Sequence, residues 1–339
     1  MATALYGAIE SGLIFAIMAL GVYLSFRVLA FADLTVDGSF VTGGAVCAIL
    51  ILHGANPFVA TLAGGVAGFF AGCLTGLLHT VGRVNSLLSG ILIMTALYSI
   101  NLRIMTQPNI PLMNSETVFT RLGSWWSAAG IDSWLRKPFA AMGWEKYAPR
   151  TFMVILCMIL FLIVIKWLYD WLLSTELGLA LRATGDNARM VRSLSANTNI
   201  YIVLGLGLSN GLVALSGAIM TQYNGFGDVN MGVGMIVIGL ASVIIGEGLF
   251  GAGKVWRATL AVILGAVIYR IIIALALRVE FVDASDMKLI TAIIVVIALT
   301  FPMWGKQLQE RRKRYSNRKQ LLQTEAEGGA SHAATETNS

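Results

Sequence analysis

The sequence predicts an all-α polytopic membrane protein with about nine transmembrane or partly spanning helices. Of its 339 residues, 57% are hydrophobic and only 12% are charged. The mean hydropathy of +0.75 lies far above that of soluble domains. Apolar runs of about 20 residues, the length that crosses a bilayer as a helix, recur along the chain. The 36 glycines fit this class, since small residues let helices approach closely in lipid.

The apolar runs define the individual spans. They are predicted at residues 5–25, 38–53, 57–78, 86–106, 151–172, 199–223, 232–246, 259–277 and 287–304. The second and the seventh are short and rich in glycine. They are therefore candidates for broken or re-entrant segments, which a membrane protein tolerates where they are buried in protein or line a cavity. Residues 1–305 form the predicted membrane domain.

The distribution of basic residues predicts the orientation. The tail 306–339 begins with a strongly basic run that places it in the cytoplasm by the positive-inside rule, and continues as a low-complexity, predicted disordered segment. The N-terminus is then outside, consistent with the lack of Lys or Arg before Arg27. Segments 79–85, 174–198 and 247–256 fall inside. Segment 107–150 falls outside although it contains several basic residues, because the rule weakens for longer loops.

The outer segment 107–150 is predicted to contain amphipathic helices at the membrane surface. Tryptophan is enriched at membrane–water interfaces, where one side of the ring is apolar and the other is wet. The tryptophans of this segment are Trp125, Trp126, Trp134 and Trp144.

The sequence contains no recognisable catalytic or metal-binding motif. Its three cysteines lie in apolar runs without a CxxC pair, and its three histidines are scattered, so neither a metal nor a resident cofactor is expected. The run GLFGAGK at 248–254 matches a phosphate-binding loop through Lys254, but Val255 stands where a working loop needs Ser or Thr for Mg²⁺. We interpret it as a tight turn. The basic residues form no patch for nucleic acid.

Residues 174–198, STELGLALRATGDNARMVRSLSANT, form a polar segment between two apolar spans. Asp186 and Asn187 are predicted to cap a helix, and Gly185 to end any helix before them. The following residues predict a short helix with a basic flank and an apolar ridge of Met190, Val191 and Leu194. The residues alone leave two interpretations open. One is a solvated loop that enforces topology, and the other is a docking site for a soluble partner.

Polar groups at membrane depth are costly, so each is a functional hypothesis. The predicted translocation-pathway residues are Glu10, Asp33, Thr35, Asp37, Ser209 and Asn210. Glu10 either lines the pathway or faces the outer headgroups. Asp33 and Asp37 share a face if that stretch is helical; alternatively, Asp37 caps the second span at Gly38. Asn210 needs a partner, either another helix or a passing solute.

Two further features of the membrane domain bear on the transport mechanism. Arg270 either snorkels to the interface or pairs with an acid. The spans contain no deep charge cluster suited to ion coupling.

Three runs resemble the permease family of ATP-binding-cassette (ABC) importers for branched-chain amino acids, ribose and related solutes. They are FADLTVDGSFVTGG at 31–44, GLALRATGDNARMVRSLSANTNIYIVLGLGLSNGLVALSGAIM at 178–220 and GLASVIIGEGLFG at 239–251. The chain departs from the family pattern at Asp33, Ala196 and Glu247, where relatives carry other residues. The resemblance implies a type II-like importer fold in a bacterial inner membrane.

The resemblance also implies partners and a substrate. A permease of this kind forms a dimer and works with a cytoplasmic ABC ATPase, which binds the ATP, and with an extracytoplasmic solute-binding protein. Its polar segment is the coupling helix, so the implied ATPase contact consists of Arg182, Gly185, Asp186, Asn187, Arg189 and Arg192. The implied solute is an amino acid, apolar or aromatic, with a sugar as the next choice. A stand-alone secondary transporter is the alternative, but it leaves the polar segment unexplained.

Overall fold

The computed structural model describes residues 2–128, 151–251 and 253–276, and the isolated residues 130, 132, 289, 292, 293 and 296. The chain divides into two units, Met1–Thr291 and Ala292–Ser339. Every element named below belongs to the first unit. Of the sequence predictions, the tail 306–339 and residues 133–150 of the outer segment lie outside the described residues. So does the ninth span, apart from those isolated positions.

The described residues of the first unit form ten α-helices and one small sheet, confirming the all-α polytopic class. The elements are α1 (Ala2–Val22) with a π-helical turn (Tyr23–Val28), α2 (Thr35–Leu52), α3 (Pro57–Thr80), α4 (Ser86–Met105), β1 (Asn109–Pro111), α5 (Val118–Ala128), α6 (Met153–Ser174), α7 (Glu176–Ser193), α8 (Thr198–Asn224), β2 (Phe226–Asp228), α9 (Met235–Phe250) and α10 (Val255–Ala276).

Seven of the described helices are long and apolar enough to cross a membrane: α1 with its π-helical turn, α2, α3, α4, α6, α8 and α10. Most lie within a few residues of the predicted spans. The prediction of a broken second span is wrong, because α2 is one continuous helix that begins three residues earlier than expected. The seventh predicted span is indeed short, since α9 has 16 residues.

Asparagine residues start three of the long helices. The side chains of Asn56, Asn85 and Asn197 each accept a hydrogen bond from the backbone N–H two residues further on, at 3.0–3.1 Å. An N-cap of this kind satisfies one of the N–H groups that a helix leaves free at its start. At the other end of α8, Gly225 adopts a left-handed conformation with φ +73°, which glycine adopts without steric cost.

The segments that connect the helices lie at two opposite ends of the bundle. At one end, β1 pairs antiparallel with β2, and the backbone N–H of Val118 in α5 donates to Gln222 at 2.9 Å. We call this the hairpin end. At the other end, the α7 end, Gly185 packs on the backbone of Val28, and Arg27 pairs with Glu247 at 3.0 Å. This grouping of the polar segments matches the one that the predicted topology requires.

Helix α8 lies at the centre of the bundle and contacts α3 through a line of glycines. Gly64, Gly68, Gly72 and Gly76 recur every fourth residue and therefore lie on one face of α3. A Cβ added at Gly68 would lie 2.6 Å from the carbonyl oxygen of Asn210 in α8. The missing side chains let the two backbones approach closely.

The contact between α8 and α2 is equally close. A Cβ at Gly43 of α2 would overlap the carbonyl group of Ala214, and a Cβ at Gly217 of α8 would overlap that of Phe40. Helix α1 is also enclosed: 83% of its apolar window is buried, against 22% for α4 and for α6. The membrane domain is therefore built around α1, α2 and α8, while α4 and α6 present broad apolar surfaces outward.

We expect Gly217→Ala to destabilise the protein, because its methyl group would overlap the α2 backbone. Overpacking of this kind costs about 1–3 kcal/mol. Gly211→Ala on the same helix is the matched control, since its added Cβ would meet only ordinary contacts at 3.4 Å or more and alanine favours helix. Thermal unfolding of the purified proteins in one detergent measures both. An equal or higher midpoint for Gly217→Ala would contradict the backbone contact.

Candidate functional site

A buried polar centre lies where α2, α3 and α8 meet near the α7 end. Asp33 belongs to the connector 29–34 between the π-helical turn and α2, and it is fully buried. One carboxylate oxygen accepts the backbone N–H of Thr35 at 2.9 Å. The other accepts the side-chain amide of Asn210 at 2.6 Å. A buried carboxylate requires such donors, because its transfer out of water is otherwise prohibitive.

The same centre extends to α3. The hydroxyls of Thr35 and Thr75 lie 2.7 Å apart, and the Asn210 amide also donates to the Leu206 carbonyl at 3.0 Å. The Asn210 side-chain oxygen is buried without a hydrogen-bond partner. The sequence predicted a hydrogen-bond partner for Asn210. In this structure that partner is Asp33 of the connector.

Ser209 lies next to the polar centre but faces α1. Its hydroxyl donates to the carbonyl of Gly21 at 2.7 Å, and both residues lie where α8 and α1 are in close contact. Three of the predicted pathway residues, Asp33, Thr35 and Asn210, thus come together, with Ser209 beside them.

Asp37 has a different role from either of the two expected. Its carboxylate accepts the backbone N–H of Gly234 at 2.9 Å and that of Ile236 at 2.8 Å, so it caps α9 across the bundle. The prediction that it caps α2 is wrong, because Asp33 binds the first N–H of α2. The shared helical face of Asp33 and Asp37 is also absent, since α2 begins only at Thr35.

The Asp37 cap allows α9 to begin inside the bundle. The chain before α9 follows α2 from Gly227 beside Ala48 to Gly232, which packs against the backbone of Asp37. The seventh predicted span is consequently a short helix preceded by irregular chain. Irregular backbone at this depth is tolerated only where protein groups or a cavity surround it, and here the polar groups of α2 meet it.

Glu10 lies in a separate cluster at the hairpin end. Its carboxylate accepts the hydroxyl of Tyr223 in α8 at 2.7 Å. Beside it, Arg270 of α10 donates to the Ser11 hydroxyl at 3.0 Å, and its guanidinium carbon lies 4.7 Å from the Phe15 ring centroid. Sequence reasoning missed Ser11 and Tyr223, because the contacts join residues more than 200 positions apart.

The predicted coupling segment is the amphipathic helix α7. Asn187 interrupts it with φ −156° and ψ 86°, and its side chain accepts the N–H of Met190 at 3.1 Å, the capping role predicted for it. The prediction that Gly185 ends the preceding helix is wrong. Gly185 is helical, and a Cβ there would overlap the carbonyl oxygen of Val28, so its lack of a side chain serves packing instead.

The predicted apolar ridge of α7 is divided between two faces. Val191 is buried, whereas the side chains of Met190 and Leu194 are 48% and 72% exposed. The exposed face also carries Asp186, Asn187, Arg189 and Arg192. Helix α7 therefore presents apolar and basic groups together on its free surface.

Arg182 differs from the other residues of the predicted ATPase contact. It donates to the carbonyl of Leu173, near the end of α6, at 3.2 Å, and its Nε is buried without a hydrogen-bond partner. In this structure it connects α7 to α6, and its guanidinium group is only partly accessible.

Helix α7 touches the connector that carries Asp33. Gly185 packs on the backbone of Val28 and Leu29, and the Leu29 side chain fills the space between Gly205 of α8 and Leu181 of α7. Leu181 is fully buried. Helix α7 and the connector are thus in direct contact, four residues before Asp33.

In the described residues, the run GLFGAGK begins within a helix and not after a strand. Residues 248–250 of the run GLFGAGK belong to the last turn of α9, Gly251 has φ +76°, and α10 begins at Val255. A phosphate-binding loop follows a strand. Among the described residues, no three His, Cys, Asp or Glu side chains cluster in a way that could hold a metal ion.

Comparison with known proteins decides the family. The family model for the permease component of branched-chain amino acid transport systems matches residues 5–300. The chain belongs to this family. It is an ABC importer permease and a multi-pass membrane protein, as its motifs predicted. Permeases of ABC transport systems work in general with ATPase and binding-protein partners.

Individual relatives support the same assignment. The chain is 40% identical over 287 residues to a tyrosine transport system permease protein of Clostridioides difficile, covering 85% of this chain and 87% of that protein. It is 34% identical over 297 residues to the uncharacterized protein RP368 of Rickettsia prowazekii, covering 86% and 95%. A 103-residue stretch, 30% of each chain, is 33% identical to the autoinducer 2 import system permease protein LsrC of Salmonella choleraesuis. No solved structure matches the chain.

We expect Asp37→Ala to lower stability more than Asn197→Ala does. The first removes two hydrogen bonds to a carboxylate at a helix start between packed helices, and the loss is about 2 kcal/mol or more. The second removes one exposed cap, typically worth about 1 kcal/mol. Thermal midpoints in one detergent provide the comparison. Equal losses would argue against a special role for the α9 cap.

Proposed function

We propose that this chain is the membrane subunit of an ATP-driven importer for an amino acid, with an aromatic amino acid as the first choice. The observation that carries the proposal is α7, which exposes an apolar and basic surface and at the same time packs on the connector of Asp33. The amino acid substrate is supported by the relative described as a tyrosine transport permease.

The exposed face of α7 is the docking surface for a separate ATPase in this proposal. Met190 and Leu194 are exposed apolar side chains, and Arg189 and Arg192 flank them. Such a surface fits a groove of a soluble protein, in which the apolar groups are buried and the guanidinium groups meet acidic side chains. ATP is bound by that partner, and this chain needs no cofactor. Asp186 and Asn187 complete the contact.

Closure of the ATPase subunits would move the pathway by direct contact. Gly185 leaves no free space against Val28 and Leu29, so a shift of α7 displaces the connector. The connector is tied to α8 by the bond between Asp33 and Asn210 and to α3 by the bond between Thr35 and Thr75. The pathway residues proposed are those listed from the sequence, and their role is to transmit motion and to line the route.

The complete importer contains two permease copies, with the α7 end in the cytoplasm. The N-terminus and the hairpin end then face outward, where a solute-binding protein delivers the solute. An ion-driven secondary transporter is the second candidate. The observation that favours it is α9, a short helix that starts inside the bundle, as discontinuous helices of such transporters do.

Reconstitution separates these two functions. We expect proteoliposomes with this permease, its ATPase and its binding protein to accumulate labelled L-tyrosine or L-leucine only when ATP and the binding protein are both present. Vesicles that lack the ATPase are the control. Accumulation by the permease alone, driven by a proton or sodium gradient, would refute the importer and establish the second candidate.

We expect Arg189→Glu combined with Arg192→Glu to abolish co-purification of the ATPase while the protein still inserts into the membrane. Both side chains are exposed, so the charge reversal repels an acidic groove without disturbing packing. The double variant Arg189→Lys and Arg192→Lys keeps the charge at the same positions and should retain the ATPase. Unchanged co-purification of the glutamate variant would mean that the partner docks elsewhere.

A further inference from the structure

Arg270 is a cation inside a membrane-spanning helix, and none of the acidic side chains that the structure describes forms an ion pair with it. It lies six residues before the described end of α10. Its Nε donates a hydrogen bond to Ser11, and its guanidinium group lies over the Phe15 ring. In the described part of the chain, the ion pairs are Arg27 with Glu247 and Lys166 with Asp170. The two terminal amino groups of Arg270 make none of the described hydrogen bonds. An ionised group at membrane depth normally pairs or serves a function.

A carboxylate with spare capacity lies beside it. Glu10 precedes Ser11 on α1, and only its Oε2 is engaged, by the Tyr223 hydroxyl. Both Glu10 and Arg270 are partly accessible, and the Ser11 hydroxyl that Arg270 contacts belongs to the residue after Glu10. An acid and a base thus occupy the same end of the bundle. The acid is held by Tyr223 and the base by Ser11, and they form no ion pair with each other.

We infer that Glu10, Tyr223 and Arg270 form a binding site for the charged groups of an α-amino acid. Glu10 would accept hydrogen bonds from the ammonium group, and Arg270 would donate two parallel bonds to the carboxylate. The planar guanidinium group matches a carboxylate in this way, and charge-assisted hydrogen bonds are among the strongest that proteins make. A zwitterion supplies both missing counter-charges at once. The inference rests on the proposed function and specifies its substrate class.

The surroundings of the site fit its place in the transport cycle. It lies at the hairpin end, where a binding protein would release the solute. Phe119 of α5 packs edge-on against Tyr223, with 5.8 Å between the ring centroids, so an aromatic wall adjoins the charged groups. An apolar or aromatic side chain of the solute can rest there while its ammonium and carboxylate groups are bound.

The test uses the reconstituted importer with labelled L-tyrosine and L-leucine as probes. Glu10→Gln removes the charge but keeps an oxygen for the Tyr223 hydroxyl. Arg270→Gln removes the guanidinium group, and Arg270→Lys keeps only the charge. Arg103→Gln is the control, because Arg103 is exposed in the last turn of α4 at the same end. Thermal midpoint and ATPase co-purification are measured for every variant.

We expect Glu10→Gln and Arg270→Gln each to lower the uptake rate roughly 10- to 100-fold, the effect of losing one charge-assisted hydrogen bond. Arg270→Lys should be intermediate and Arg103→Gln unchanged, with normal thermal midpoints and ATPase association throughout. Where Arg270→Gln does not fold, Glu10→Gln and Arg270→Lys decide.

Each of the remaining outcomes has a definite meaning. Uptake within twofold of the wild type for Glu10→Gln and the arginine variants would overturn the site while leaving the importer intact. A loss of uptake that parallels a loss of thermal stability or of the ATPase would also overturn it, because the residues would then be structural. A wild-type importer that accumulates neither amino acid would instead refute the proposed substrate class.

Discussion

The direct contact of the α8 backbone with α2 and α3 constrains everything else in this bundle. In lipid the hydrophobic effect does not drive helices together, so close packing and internal hydrogen bonds must do so. The glycines of α3, Gly43 of α2 and Gly217 of α8 lack the Cβ atoms that would overlap the backbone of the facing helix, so the helices pack backbone to backbone. Polar side chains such as Asp33 and Asn210 are buried beside these contacts and hydrogen-bond to each other.

Two aspartates accept the backbone N–H groups that are left free where helices begin inside the bundle. A helix that begins inside a membrane protein exposes N–H groups that lipid does not satisfy. Asp33 accepts the first N–H of α2, and Asp37 accepts two N–H groups of α9. Because the second cap crosses between helices, it also fixes where α9 begins relative to α2. The acids thus contribute to architecture as well as to any role in the pathway.

The sequence predicted what local physics determines. Apolar length located the spans, and short polar side chains predicted the helix cap at Asn187. The motif resemblance identified the family. The prediction that Gly185 ends a helix was wrong. A glycine inside a polar run looks the same in the sequence whether it breaks a helix or permits close packing, here on Val28. The predicted apolar ridge of α7 does not lie on one face, because the bundle buries Val191 and leaves Met190 and Leu194 exposed.

The candidate sites were less predictable than the spans. The residues Glu10, Asp33, Asp37 and Asn210 were recognised by the cost of polar groups at membrane depth. Their partners were not, because no periodicity links Asp37 to Gly234 or Glu10 to Tyr223. Such contacts form only when helices that are distant in sequence pack together. The residues that determine this packing are spread over the surfaces of both helices.

The enclosure of α1 has a consequence for biosynthesis. This helix leaves the ribosome before the helices that surround it, including α8 and α10. Tyr223, whose hydroxyl binds Glu10, is synthesised 213 residues after it. At ordinary translation rates this interval is about 10–40 s. During that interval the Glu10 carboxyl group lacks the Tyr223 hydroxyl. The helix must therefore be apolar enough to insert alone, although in the finished protein most of its surface never meets lipid.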